Sequence, residues 1–215
     1  MKRCFFLFVF FLLSAMGAGA TALPKKHDIY YGQENAPIKI IQYTSPSCHY
    51  CGEFMEKIFP QLDKEFIQTG QVILVVLDFP LNDIDMKISQ IIRGSSSPSK
   101  YQKIIYDSQF LWTSAKNPLQ QAKNILIGAG MTRAEIVQSV NNRIILDEII
   151  QSRFLGEKKY DISGVPVFIV GAQIINGLES WAELKKVIQD ALNHVKSGKP
   201  LETFGKQNDR KKITT

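Results

Sequence analysis

Two of the three cysteines in this 215-residue chain stand two residues apart, in Cys48-His49-Tyr50-Cys51. Thiols at that spacing can close a small ring and reopen it. The thiolate, not the thiol, attacks a disulfide sulfur, and a thiol of low pKa is also the better leaving group. Ser45-Pro46-Ser47 breaks the segment ahead of the pair, and a helix is predicted to begin near Cys48. Unpaired backbone N–H groups and the positive end of the helix dipole then stabilise negative charge on the first sulfur. Cys48 is accordingly the candidate attacking or substrate-linked sulfur, and Cys51, one turn inside, the candidate resolving sulfur. His49 and Tyr50 are the candidate tuning residues. An imidazolium at His49 favours a Cys48 thiolate, whereas a ring that only faces solvent on the substrate rim leaves it unchanged.

Three other uses of a close cysteine pair compete. A zinc half-site needs two more ligands, and only His27, His49 and His194 are available, none in a second paired unit. Copper delivery by an exported pair lacks the methionine or histidine cluster that would hold the ion. An inert cross-link gains little, because so short a loop removes little unfolded-state entropy. Redox exchange is favoured over these, and neither a metal nor a cofactor is expected.

The N-terminus bears on that choice. Lys2 and Arg3 precede an apolar run from Phe5 to Leu13, followed by Ala18-Gly19-Ala20, the order of a secretory signal peptide. Residues 1–20 are expected to be cleaved, with Ala20-Thr21-Ala22 as a second possible cut, and the apolar run is short for a bilayer span. Cys4 would leave with the signal. Export to the periplasm supplies an oxidising compartment in which a Cys48–Cys51 disulfide persists.

The formal charge of +6 sits mostly at the ends. Setting aside Lys2, Arg3 and the basic stretch from Lys199 leaves about +1 on the body. No basic helix is interleaved with aromatics, so no nucleic-acid partner is expected. With 45% apolar and 21% charged residues, the body has the composition of a globular domain, and its length admits one domain carrying a subdomain.

The elements that must position the pair read as follows. Ile38 to Tyr43 is β-branched and predicts a strand. Phe54, Ile58, Leu62 and Phe66 recur at helical spacing after the cysteines, with Pro60 expected to kink that helix and Thr69-Gly70 to end it. Val72 to Leu77 is a continuous apolar run suited to a strand covered on both faces. Strand, helix, strand predicts a right-handed βαβ unit. From about Asp85 to Tyr160 the pattern is helical, with Ser97-Pro98 as a cap followed by proline and Thr132 to Glu135 at capping-box spacing. The sheet resumes at Val165 to Val170 and Gln173 to Ile175, and Ser180 to Glu183 caps a last helix. His27 and His194 are assigned no special role. The expected fold class is α/β, with residues 21–84 and 161–197 forming one unit, residues 85–160 a helical insertion, and residues 198–215 a disordered basic tail.

Asn35-Ala36-Pro37, Ile38 to Tyr43 and the cysteine pair follow one another in this order, then Thr69-Gly70-Gln71-Val72, Asp78-Phe79-Pro80-Leu81 and Ile162 to Phe168. In that order and spacing, over roughly Tyr30 to Val195, the chain resembles the DsbA family of thioredoxin-fold oxidoreductases. The resemblance implies a thioredoxin fold with an inserted all-helical subdomain. It implies that Val165-Pro166 is a cis peptide lying against the cysteines, leaving backbone groups free to pair with an extended substrate. It implies oxidation of reduced or unfolded exported polypeptides, and reoxidation by a membrane partner resembling DsbB. An isomerase or reductase on the same chemistry is the alternative, and a metal carrier or binding module the alternative of another class. Two departures stand out: His49-Tyr50 replaces the common Pro-His, and Gln42 stands where relatives often carry an acid six residues before the first cysteine.

Overall fold

The structure is a computed structural model that describes residues 27–206. The expected signal peptide and residues 207–215 lie outside the described residues. Five strands, β1 (Ile29–Tyr31), β2 (Ile38–Thr44), β3 (Val72–Asp78), β4 (Val167–Val170) and β5 (Gln173–Asn176), form one mixed sheet in the order β1-β3-β2-β4-β5. β2 and β3 are parallel, in register from Ile38 opposite Val72 to Thr44 opposite Asp78, and β4 joins β2 antiparallel. The apolar run of β3 is buried on both faces, as a central strand with helices on both sides requires.

The connection from β2 to β3 is helical from His49 to Ile67 but not uniformly so. It runs through α1 (His49–Glu53), a π-helical turn (Phe54–Ile58), α2 (Phe59–Leu62) and a second π-helical turn (Asp63–Ile67). A kinked single helix is expected at Pro60; instead proline occupies the first turn of α2, directly after the wider turn. There its missing N–H and its ring are accommodated without a clash against a carbonyl four residues back.

Between β3 and β4 every element is a helix: α3 (Asp83–Arg93), α4 (Pro98–Asp107), α5 (Gln109–Thr113), α6 (Pro118–Gly128), α7 (Arg133–Val140) and α8 (Arg143–Tyr160). Ile88, Ile91, Tyr101, Ile105, Trp112 and Leu126 continue the hydrophobic cluster that begins with Ile40, Cys51, Phe54 and Leu74 under the sheet, so helices and sheet share one core. α8 covers the opposite sheet face, over Tyr43, Phe79 and Val167. Gly156 permits that approach, since a Cβ there would lie 3.0 Å from the Tyr43 ring and 3.3 Å from the Phe79 ring. The last helix, α9 (Trp181–Lys196), packs Leu184, Ile188 and Ala191 onto the same core as α1.

Both expected capping boxes form, at Thr132–Glu135 and Ser180–Glu183. Ser97 precedes Pro98 as expected but makes no side-chain cap bond. The Glu135 carboxylate accepts from the backbone and hydroxyl of Thr132 and from Ser96, which hold its pKa down at about 2. A depressed acid stabilises above its ordinary range and ceases to do so as pH falls through its folded value. Amide exchange across α7 is therefore expected to accelerate as pH drops from about 4.5 toward 2, once intrinsic exchange is divided out, and to do so less in Thr132→Ala. Identical pH profiles for the two proteins would contradict this assignment.

One expectation needs correction. The tail does not become disordered at residue 198: Leu201–Thr203 forms a 3-10 turn, Phe204 is buried, and the Ala172 N–H donates to the Phe204 carbonyl at 2.8 Å. One apolar ring suffices to anchor a stretch whose average composition is polar and basic. The histidines also have defined places. His27 Nδ1 lies 3.0 Å from Glu148 on α8, and His194 Nε2 lies 2.8 Å from Thr203 Oγ1, tying α9 to that final turn.

Candidate active site

β2 delivers the chain to the redox pair. At Thr44 it leaves the sheet, turns through Ser45-Pro46-Ser47, and enters α1 with Cys48 as N-cap. Cys48 and Cys51 form a disulfide. The Cys51 N–H donates to Cys48 Sγ at 3.1 Å and also to the Cys48 carbonyl oxygen at 3.1 Å, so an amide of the helix start is shared with the first sulfur. Cys48 is 7% exposed and Cys51 0%, so an incoming thiolate can reach only the first sulfur. Among the described residues no group of three or more His, Cys, Asp or Glu is arranged to hold a metal ion.

His49 and Tyr50 are both exposed, and their rings touch with centroids 5.6 Å apart. They form the solvent rim beside Cys48 rather than part of its packing. Lys57, by a 2.7 Å bond, and more weakly the neighbouring His49 hold the Glu53 carboxyl below its ordinary range. The Val165-Pro166 bond is cis, and the Val165 carbonyl oxygen lies 3.4 Å from Cys48 Sγ. A disulfide sulfur carries no proton, so this is a contact rather than a hydrogen bond. Pro166 is buried beneath Val165, and its carbonyl accepts from the Gly177 N–H at 2.8 Å, which pins the loop to the end of β5. The structure thus brings Cys48, Cys51 and Val165-Pro166 together and leaves His49 and Tyr50 at the edge.

Gln42 is 1% exposed on β2, opposite Val76 and Phe168, and its Oε1 finds no hydrogen-bond partner. No carboxylate occupies that position, so the sheet beneath the pair carries no negative charge there. A groove of about 680 Å³ lies on the other sheet face, between α8 and Ile41, Tyr43 and Ile169, and neither cysteine lines it.

Three further residues hold the redox loop, and none is apparent from the sequence. Asp85, fully buried on α3, accepts from Ser45 Oγ (2.7 Å), Ser47 N (3.0 Å), Ser47 Oγ (2.8 Å), Leu81 N (3.2 Å) and Asn82 Nδ2 (3.1 Å). Tyr106 on α4 donates to Ser45 O at 3.3 Å and accepts from Thr44 Oγ1 at 2.6 Å, and burial pushes its phenol well above the ordinary value. Gln109, the first residue of α5, donates to Pro46 O at 2.7 Å and Cys48 O at 2.9 Å. Asp85 looks in the sequence like an ordinary acidic first-turn residue after the Asn82 cap, and Gln109 like a surface polar residue. Their partners lie about 40 and 60 positions away, beyond any local pattern.

Comparison with known proteins agrees with this arrangement. The family model described as thioredoxin matches residues 25–190. A Rickettsia typhi protein named as a protein-disulfide oxidoreductase is 27% identical over 154 residues, 70% of this chain and 57% of its own. One from Rickettsia prowazekii is 26% identical over 171 residues, 78% of this chain and 62% of its own. The chain thus spans about three-fifths of the length of these curated relatives. Among solved structures, Wolbachia pipientis α-DsbA1 superposes with a TM-score of 0.74 at 21% identity, over 82% of this chain and 96% of its own. A Novosphingobium aromaticivorans protein-disulfide isomerase gives 0.66 at 20% identity, over 78% and 98%. With that family model matched over most of its length, the chain belongs to the thioredoxin family.

Proposed function

We propose that the protein is a periplasmic thiol–disulfide oxidoreductase that oxidises dithiols in reduced or unfolded exported polypeptides. The observation that carries this reading is the Cys48–Cys51 disulfide at the start of α1, with only Cys48 approachable and a backbone N–H aimed at its sulfur. A client thiolate attacks Cys48 Sγ, forming a mixed disulfide and releasing the Cys51 thiolate. A second client thiolate attacks the client sulfur of that mixed disulfide, and Cys48 leaves as a thiolate. The client loses two electrons and two protons in total, and the cysteine pair gains them. A leaving group of low pKa favours the second step, which is where the amide-directed Cys48 matters.

The Val165 carbonyl beside Cys48 supports the reading, because an extended client backbone can lie along that loop while its cysteine meets Sγ. Export by the N-terminal segment and reoxidation by a membrane partner resembling DsbB complete the cycle. His49 and Tyr50 contact the client at the rim. No metal or cofactor takes part.

Titration against glutathione, with oxidation of a reduced unfolded substrate measured in parallel, tests the direction of electron flow. A potential well above the thioredoxin value of about −270 mV, with turnover, is expected. A potential near that value without oxidation of the substrate would show a reductase instead. Rescue of a scrambled substrate without added oxidant would show an isomerase.

A further inference from the structure

The carbonyl oxygen of Cys48 has three donors around it. Cys51 N lies 3.1 Å from it, Gly52 N 3.1 Å, and Gln109 Nε2 2.9 Å. The same Cys51 N–H also lies 3.1 Å from Cys48 Sγ. A carbonyl oxygen offers two lone pairs, so three donors cannot all be well accommodated on it. Gln109 and Gly52 compete with the Cys51 N–H for those two sites, and that N–H is shared between the carbonyl oxygen and the sulfur. In the disulfide that sulfur is a weak acceptor. In the reduced protein it is where the charge resides, and a donor held there forms the stronger, charge-assisted bond.

We propose that Gln109 is a positioning residue for the redox pair: by occupying the Cys48 carbonyl, it commits the Cys51 N–H to the Cys48 sulfur and stabilises the thiolate. The inference rests on Cys48 acting as the ionised sulfur, as proposed above, and adds a residue from the helical segment to that site. Two details show that the contact is built. The second bond of the amide, to Pro46 O at 2.7 Å, fixes its orientation, since both neighbours are carbonyl oxygens and only the nitrogen can face them. Gly52 leaves the space it needs, because a Cβ there would stand 2.5 Å from Gln109 Oε1 and 3.0 Å from its Cδ.

The titratable groups on α1 itself or hydrogen-bonded to the Thr44–Cys48 turn are His49, Tyr50 and Glu53 on α1, Asp85 on α3 and Tyr106 on α4. Exchanging neutral Gln109 for neutral methionine alters none of them. A change in Cys48 ionisation in that variant therefore reports the hydrogen bond and not a new charge.

The test is a pH titration of the Cys48 thiolate by its ultraviolet absorbance in reduced wild-type protein, Gln109→Met and Gly52→Ala. Methionine keeps the volume over α1 and removes the donor; alanine at position 52 pushes the amide away from the other side. Both variants are expected to titrate at higher pH, with a roughly tenfold smaller thiolate fraction on the acid side of the transition, the loss of about one charge-assisted bond. The glutathione equilibrium is expected to move by a similar factor toward the protein disulfide. Urea unfolding run alongside separates this from a general loss of structure, and should Gln109→Met not fold, Gly52→Ala carries the test. A wild-type thiolate of depressed pKa that is unchanged in the folded variants overturns this inference alone. A wild-type Cys48 titrating near 8.5 overturns the parent reading and this inference with it.

Discussion

Cys48→Ser is expected to abolish disulfide exchange, reducing oxidation of a dithiol substrate to the uncatalysed background. A serine hydroxyl can neither form the disulfide nor accept a client thiolate, and the remaining sulfur, Cys51, is 0% exposed. Cys51→Ser should behave differently. Its Cys48 thiolate remains approachable and can attack the disulfide of an oxidised client, joining one client sulfur and expelling the other as a thiolate. With no Cys51 to resolve that bond from the protein side, a mixed disulfide accumulates and is visible on a non-reducing gel. Retained turnover in Cys48→Ser would point to a function independent of the pair, such as the metal-carrier or binding-module reading. Equal loss in both variants without a trapped species would contradict the division of roles between the two sulfurs.

The largest expected effect on stability lies away from the cysteines. Arg93, 3% exposed at the end of α3, pairs with Asp78 through Nε, with Asp28 at 3.1 Å and the His27 carbonyl at 2.7 Å through Nη1, and with the Val76 carbonyl at 3.1 Å through Nη2. One guanidinium therefore ties the start of β1, the end of β3 and α3 together. Burial pulls its pKa down, but the charges of Asp78 and Asp28 more than offset that and hold it above the ordinary value. Arg93→Met keeps most of the volume and leaves Asp78 buried with Ser89 as its remaining hydrogen-bond donor in this network. Removing one partner of a buried ion pair costs about 3–5 kcal/mol, a large part of the roughly 5–15 kcal/mol that holds a typical domain together. A urea midpoint lowered accordingly is expected, with partial recovery when Asp78→Asn is added, because the stranded charge is then gone. A loss below about 1 kcal/mol would mean that the network is solvated in solution and that the ion pair does not act as a buried one.

How much of this was readable from the residues follows from how local each signal is. The cysteine spacing, the turn before it and the β-branched runs of β2 and β3 are short-range patterns, and each appears in the structure near its expected limits. β1 was not anticipated: Ile29–Tyr31 is only three residues, and what makes it a strand is pairing with β3, more than 40 positions away. The turn around Leu201 is not legible in the sequence because Phe204 anchors it by burial, which average composition does not register. At the site the division is sharper. The sulfurs announce themselves by type and spacing, and the Val165-Pro166 loop was legible only through a family likeness. Asp85, Tyr106 and Gln109 act through contacts with the Thr44–Cys48 segment that only the packed helices create. The residues proposed to carry out the exchange are thus encoded locally, and those that hold them in place are not.

The ionisation of Cys48 in the reduced protein decides whether the pair is an activated one. The second step of the proposed cycle depends on a Cys48 sulfur that leaves readily as a thiolate at neutral pH, and the N-cap position with the Cys51 amide directed at Sγ is the structural reason for it. A single thiolate transition well below the ordinary cysteine value of about 8.5 is expected, assigned to Cys48 by its loss in Cys48→Ser and its retention in Cys51→Ser. A transition at or above about 8.5 would rule out the proposed cycle, because the pair would then be a buried cross-link with no activated sulfur.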